Sequence, residues 1–161
     1  MSERPTTART RRSKAEQRAE TTEQILDAAE YLFSKAGLHG VTLRDVAVRV
    51  GVHTTLLHYY FDDKQQLFEA VFARRAGVTS GRRMEALERY EAEAGDKPTV
   101  EGALHAFLDT DLDLYTSSEA WMNYAAFCAR VSNTPEGAAL MDVHFDPVVL
   151  KLVSILKKAL P

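Results

Sequence analysis

Cysteine occurs once among these 161 residues, at Cys128, and tryptophan once, at Trp121. A single thiol can neither close an internal disulfide nor build a cysteine-based metal site, which agrees with a reducing compartment. No apolar run approaches the roughly 20 residues that a membrane-spanning helix needs. The opening stretch, MSERPTTARTRRSKAEQRAE, holds no hydrophobic segment of the kind a secretion signal requires. The expectation is a cytoplasmic protein with no membrane partner. The five histidines, His39, His53, His58, His105 and His144, fall into no metal-ligand spacing. There is no GxSxG sequence, no glycine-rich phosphate loop and no paired-carboxylate arrangement, so no enzyme, no metal and no cofactor are expected. Internal repeats and low-complexity tracts are absent too.

What is there suits a helical protein with a real core, since 45% of the residues are hydrophobic. The net charge of −3 hides an uneven distribution. Residues 1–20 carry six basic and three acidic groups, residues 21–75 six and seven, and residues 76–161 eight and thirteen. Positive charge thus lies toward one end, as expected of a chain that meets a polyanion there. Residues 1–19 have almost no large apolar side chains and are expected to be a disordered basic arm, either following a nucleic-acid backbone or simply solvated. Helix 1 is expected to open at Thr21, with Gln24 completing a capping box, and to end at Gly37.

Residues 41–64, VTLRDVAVRVGVHTTLLHYYFDDK, read as two short helices joined by a tight turn. Thr42 is a good N-cap, Asp45 completes a capping box with it, and Val41 and Val46 stand at the positions of a hydrophobic staple. Gly51 supplies the backbone freedom for the turn. Beyond it, Val52, Leu57 and Phe61 are apolar anchors, which leaves His53, Thr54, Thr55, His58 and Tyr59 as a surface of hydrogen-bonding groups suited to base edges and phosphates. This is a helix-turn-helix pattern.

With its flanks, residues 25–71, ILDAAEYLFSKAGLHGVTLRDVAVRVGVHTTLLHYYFDDKQQLFEAV, this segment resembles the DNA-binding domain of the TetR family of bacterial transcriptional regulators. The aromatic HYYF segment followed closely by Lys64 belongs to that resemblance. It implies that Thr42, Tyr60 and Lys64 contact phosphates, while Arg44 and the exposed part of residues 54–59 approach bases. Leu56, in place of a small or hydroxyl residue, and His58, in place of a tyrosine, depart from the family pattern. The resemblance further implies a homodimer on a palindromic double-stranded operator, most simply a repressor, released when a small-molecule effector of unknown identity moves helix 4. Two other classes stay open. One is a helical ligand-binding or interaction protein whose helix-turn-helix is degenerate; the other is an enzyme on a helical bundle.

Further along, Asp62 and Asp63 open helix 4, with a bend expected near Gly77 and an end near Ala94. Thr99 caps a helix to residue 115, and another covers residues 119–131. A short helix through residues 138–141 is then expected to lead to Asp146 and Pro147, the N-cap and N1 pair of a last helix over residues 148–160, or else a kink. The fold class is all-α, with a disordered arm at residues 1–19, a three-helix DNA-binding domain at residues 20–62 and a helical regulatory and dimerisation domain at residues 63–161.

Asp111 falls in the middle of an apolar helical face, where an unpaired carboxylate is costly. A hydrogen bond to an internal Tyr, Trp or His, a local break in the helix, or a role as polar anchor in a ligand pocket would each account for it. In the last case the pocket lies between residues 99–115 and residues 119–131 and is lined by Phe107, Asp111, Trp121, Tyr124 and Cys128. An apolar or cationic effector suits such a lining. The apolar arc of residues 148–160 is wider than one core contact requires. It is expected to meet the same helix of a second copy or a following helix absent from these 161 residues. The second expectation is favoured, and with it weak dimerisation.

Overall fold

Ser13 starts the first helix of the chain. Its hydroxyl accepts from Glu16 N, and the Glu16 carboxylate accepts from Ser13 N, a reciprocal capping box. In the computed structural model, which describes residues 13–160, helix α1 therefore runs over Lys14–Ala36. This corrects the start expected at Thr21, whose hydroxyl instead donates to Gln17 O inside the helix. Residues 14–19, expected as part of the arm, are helical; residues 1–12 of that arm lie outside the described residues. Gly37, at a φ of 70°, ends α1 as expected.

Thr42 and Asp45 form the expected capping box of α2, Leu43–Val50, and Gly51 leaves it in the left-handed conformation at a φ of 80°. Helix α3 covers Thr54–Tyr60 and buries Leu57. Asp63 caps α4, Lys64–Ala94, which continues through Gly77 and Gly81 as one helix of 31 residues. Thr99 caps α5, Val100–Thr116, and Ser118 caps α6, Glu119–Val131.

The last segment departs most from expectation. Thr134 and Pro135 start a single helix α7, Pro135–Ala159, and Pro147 lies inside it rather than opening a new one. A proline there removes one intrahelical hydrogen bond. Just before it, the His144 carbonyl accepts from Ser80 Oγ at 2.7 Å, which ties this part of α7 to α4.

Two apolar clusters hold these helices together. The larger contains Ile25 and Phe33 of α1, Val46 of α2, Leu57 of α3, Phe68 and Phe72 of α4, and Tyr124 and Phe127 of α6. Phe33, Phe68 and Phe127 meet ring to ring at 5.2 to 6.1 Å between centroids. Helix α1 is thus seated directly on α6 and carries the helix-turn-helix, and Arg130 Nε donates to Ser34 O across the contact between α1 and α6. The smaller cluster joins Leu87 of α4 and Ala103 of α5 to Val148, Leu152 and Ile155 of α7. Glu91 of α4 is held by both Lys151 and Lys158 of α7. On the outer side of α7, Val143, Val149, Leu150 and Val153 form an exposed apolar strip.

Candidate nucleic-acid interface and effector site

The polar residues of the turn and α3 stand mostly at the surface. Thr55, His58 and Tyr59 are exposed, Tyr59 to 66%, while Thr54 and Tyr60 are half-buried. Leu56 also reaches the surface, an apolar side chain among these polar ones. His53 is occupied locally as the N-cap of α3, its Nδ1 accepting from Thr55 N at 3.3 Å and lying 2.8 Å from Thr55 Oγ1.

Thr42 and Lys64 are also partly occupied. The Thr42 hydroxyl donates to Asp45 Oδ2 at 2.6 Å, and this bond, with one from the Thr42 backbone, holds the Asp45 carboxyl below the usual carboxylate range. Lys64 Nζ donates to Leu38 O at 2.8 Å, which fastens the start of α4 to the loop after α1 and leaves two ammonium protons for an anion. Arg44 is exposed on α2.

Sequence reasoning missed Arg18. Its guanidinium lies 5.2 Å from the Tyr59 ring centroid and 5.6 Å from that of Tyr60, and the two rings pack edge to face. The early start of α1 puts Arg18, with Lys14, beside the reading helix, where they line one groove with Leu56, Tyr59 and Tyr60. The SKAE capping signature at residues 13–16 was the available signal.

In the other half, the five residues expected to line a pocket are linked through side chains that the sequence did not point to. Asp111 is 3% exposed and is paired with Arg83 of α4, with Tyr115, one turn further along α5, as a second, hydrogen-bonding partner of the internal kind expected. Burial pushes its carboxyl above the usual carboxylate range, with Arg83 opposing the shift. Neither Asp111 oxygen nor Arg83 Nε makes a hydrogen bond of ordinary geometry. The Arg83 guanidinium also covers the Phe107 ring at 4.5 Å and approaches that of Phe145 at 5.5 Å.

Tyr124 is fully buried, and its hydroxyl has no hydrogen-bond partner of ordinary geometry. Its ring packs against Trp121 at 5.9 Å and Tyr115 at 6.4 Å. Burial drives the Tyr124 and Tyr115 phenols upward and the Cys128 thiol up to about 12, so all three stay neutral and protonated. Trp121 lies under Arg75 at 4.7 Å, and Arg75 Nε donates to the buried Glu30 of α1 at 2.6 Å. Two arginines of α4 thus fill the two ends of the expected lining, each between an aromatic ring and a buried carboxylate.

A helix-turn-helix head, seated by a shared core on a helical bundle and continuous with it through a long α4, defines a one-chain transcriptional regulator. The profile described as "Bacterial regulatory proteins, tetR family" matches residues 25–71, and that described as "Tetracyclin repressor-like, C-terminal domain" matches residues 105–161. The HTH-type transcriptional regulator BetI of Escherichia coli is 31% identical over 139 residues, covering 86% of this chain and 69% of BetI. Among solved structures, the ketosteroid transcriptional regulator KstR2 of Mycobacterium tuberculosis superposes with a TM-score of 0.62 at 15% identity, over 86% of this chain and 67% of that one. A transcriptional regulator from Saccharomonospora viridis, solved in complex with choline, gives 0.57 at 19% identity, over 88% and 70%. The chain belongs to the TetR family and is a DNA-binding transcriptional regulator.

Proposed function

We propose that the protein is a repressor that binds a palindromic operator as a homodimer and leaves it when a small organic cation enters the regulatory half. Residues 20–62 act as the reading head, the arm before them accompanies it, and residues 63–161 regulate it. On the head, Tyr60, Lys64 and Thr42 meet phosphates, while Arg44, Thr54, Thr55, His58 and Tyr59 face the groove. The apolar strip of α7 around Leu150 supplies the subunit contact.

The single observation that carries the effector half is Asp111, a carboxylate buried among aromatic rings on the helix that faces α4. A carboxylate backed by rings is the chemistry that selects an organic cation. The choline held by the Saccharomonospora viridis regulator, which shares the fold, supports that class. The effector acts only through tighter binding to the arrangement that does not fit the operator.

Selection of bound sequences from a random duplex pool tests the DNA half. A palindrome is the expected result. Absence of binding even at low salt supports instead a degenerate helix-turn-helix on a ligand-binding or interaction protein, because nonspecific affinity persists when salt is low.

A further inference from the structure

A buried ion pair with open hydrogen-bonding valences needs a reason. Asp111 lies on α5 and is nine-tenths buried; Arg83 is the charge in contact with it, supported by Tyr115 and the more distant Arg82, yet neither of its oxygens has a hydrogen bond of ordinary geometry. The Arg83 side chain remains 16% exposed, and its guanidinium is carried on a long flexible stem. Around the guanidinium stand Phe107 at 4.5 Å and Phe145 at 5.5 Å. One carboxylate and two aromatic faces around a delocalised cation are the complete recognition set for an organic cation, and the chain fills that set with a residue of its own.

We propose that Arg83 is a built-in competitor: its guanidinium holds the seat of the effector, and induction consists of a ligand cation displacing Arg83 from Asp111. The proposal rests on the reading of this site as the effector site and adds how the site is gated. A seat occupied by a tethered cation binds its ligand with an affinity reduced by the fraction of time the seat is free. The same device couples binding to the head. Arg83 is part of α4, and α4 grips α1 through Arg74 to Glu23, Asp27 and Glu30 and through Arg75 to Glu30. A ligand that releases Arg83 removes the ion pair between the middle of that helix and α5, while Lys64 keeps its start fastened to the loop after α1.

The test measures binding of tetramethylammonium and choline, with the neutral isostere 3,3-dimethylbutanol as control, by calorimetry on the full chain. The wild type is expected to bind the cations weakly and the alcohol not at all. Arg83→Met is expected to bind them at least tenfold more tightly, and Asp111→Asn to lose them. Because Arg83→Met leaves Asp111 without its partner, Arg83→Gln is measured beside it. In the wild type, the Arg83 Nε–H nitrogen resonance should shift on saturation with tetramethylammonium. Wild-type binding that Asp111→Asn abolishes, with both Arg83 variants binding no better than wild type, overturns the competitor and leaves the cation site standing. Failure of every variant to bind either cation overturns both. An unmoved Arg83 resonance in the cation-saturated wild type overturns displacement even if neither variant folds.

Discussion

The reading head and the regulatory half use charge in opposite ways. In α2 and α3 the polar groups stand at the surface and their partners are neighbours in sequence: Thr42 with Asp45, His53 with Thr55. In α4 to α6 the decisive charges are buried and paired between helices: Arg83 with Asp111, and Arg74 and Arg75 with Glu30 of α1. A surface that takes up an outside polyanion needs its donors within reach of solvent, even where some of them also hold local partners. The regulatory half instead holds its charges in pairs between helices, and losing one partner of such a pair is strongly destabilising.

The larger of the two apolar clusters runs through both halves, so they are expected to unfold together. Phe127→Ala removes the ring that joins Phe33 of α1 to Phe72 of α4 and should lower stability by about 4 kcal/mol. Urea denaturation followed by Trp121 fluorescence and by far-ultraviolet circular dichroism checks it. One shared transition is expected, whereas two separated ones would make the halves independent. Glu30→Ala leaves Arg75 without its carboxylate and Arg74 with only the exposed Glu23 and Asp27, and should cost about 3 kcal/mol in the same experiment.

The contrast within the head is smaller. Lys64→Ala should weaken binding to all sequences alike and lower the salt slope by about one unit, because an ammonium at phosphate carries no sequence information. Arg44→Ala should relax preference at one base pair by about 1 to 3 kcal/mol. Uniform losses for both variants across operator changes would remove Arg44 from base reading.

The smallest effect concerns Glu91, whose carboxyl the hydrogen bonds from Lys151 and Lys158 hold down to about 2, against an ordinary value of 4.5. Between those values the unfolded chain takes up a proton that the folded chain refuses, so this contribution is present above pH 4.5 and disappears as pH falls toward 2. Glu91→Gln should flatten the stability profile through that window in acid titrations followed by circular dichroism.

The same contrast decides what the sequence discloses. Caps are local signals, so the starts of α2, α4, α5 and α6 at Thr42, Asp63, Thr99 and Ser118 were all legible. Helix α1 was misplaced because its first two turns are polar all round, and apolar periodicity begins only near Ile25 although Ser13 and Glu16 spell the cap. The Asp146–Pro147 pair resembles a helix start, yet tertiary packing of Val148 and Leu152 carries α7 through the proline. That Asp111 needs a partner could be read from its place on an apolar face. That the partner is Arg83 could not, since an arginine after Gly81 on a charged helix looks like any solvated residue until α5 is laid against it. Arg18 reaches Tyr59 and Tyr60 for the same kind of reason, through packing between helices distant in sequence.

On the proposed mechanism, a cation at Asp111 is felt at α3. Operator affinity should therefore be measured by fluorescence anisotropy with and without saturating tetramethylammonium, on the duplex that pool selection yields. The expected result is a fall of at least about fivefold, mirrored by an equal fall in cation affinity on the operator-bound protein, since coupling between two sites is reciprocal. Cation binding that leaves operator affinity unchanged would contradict the account.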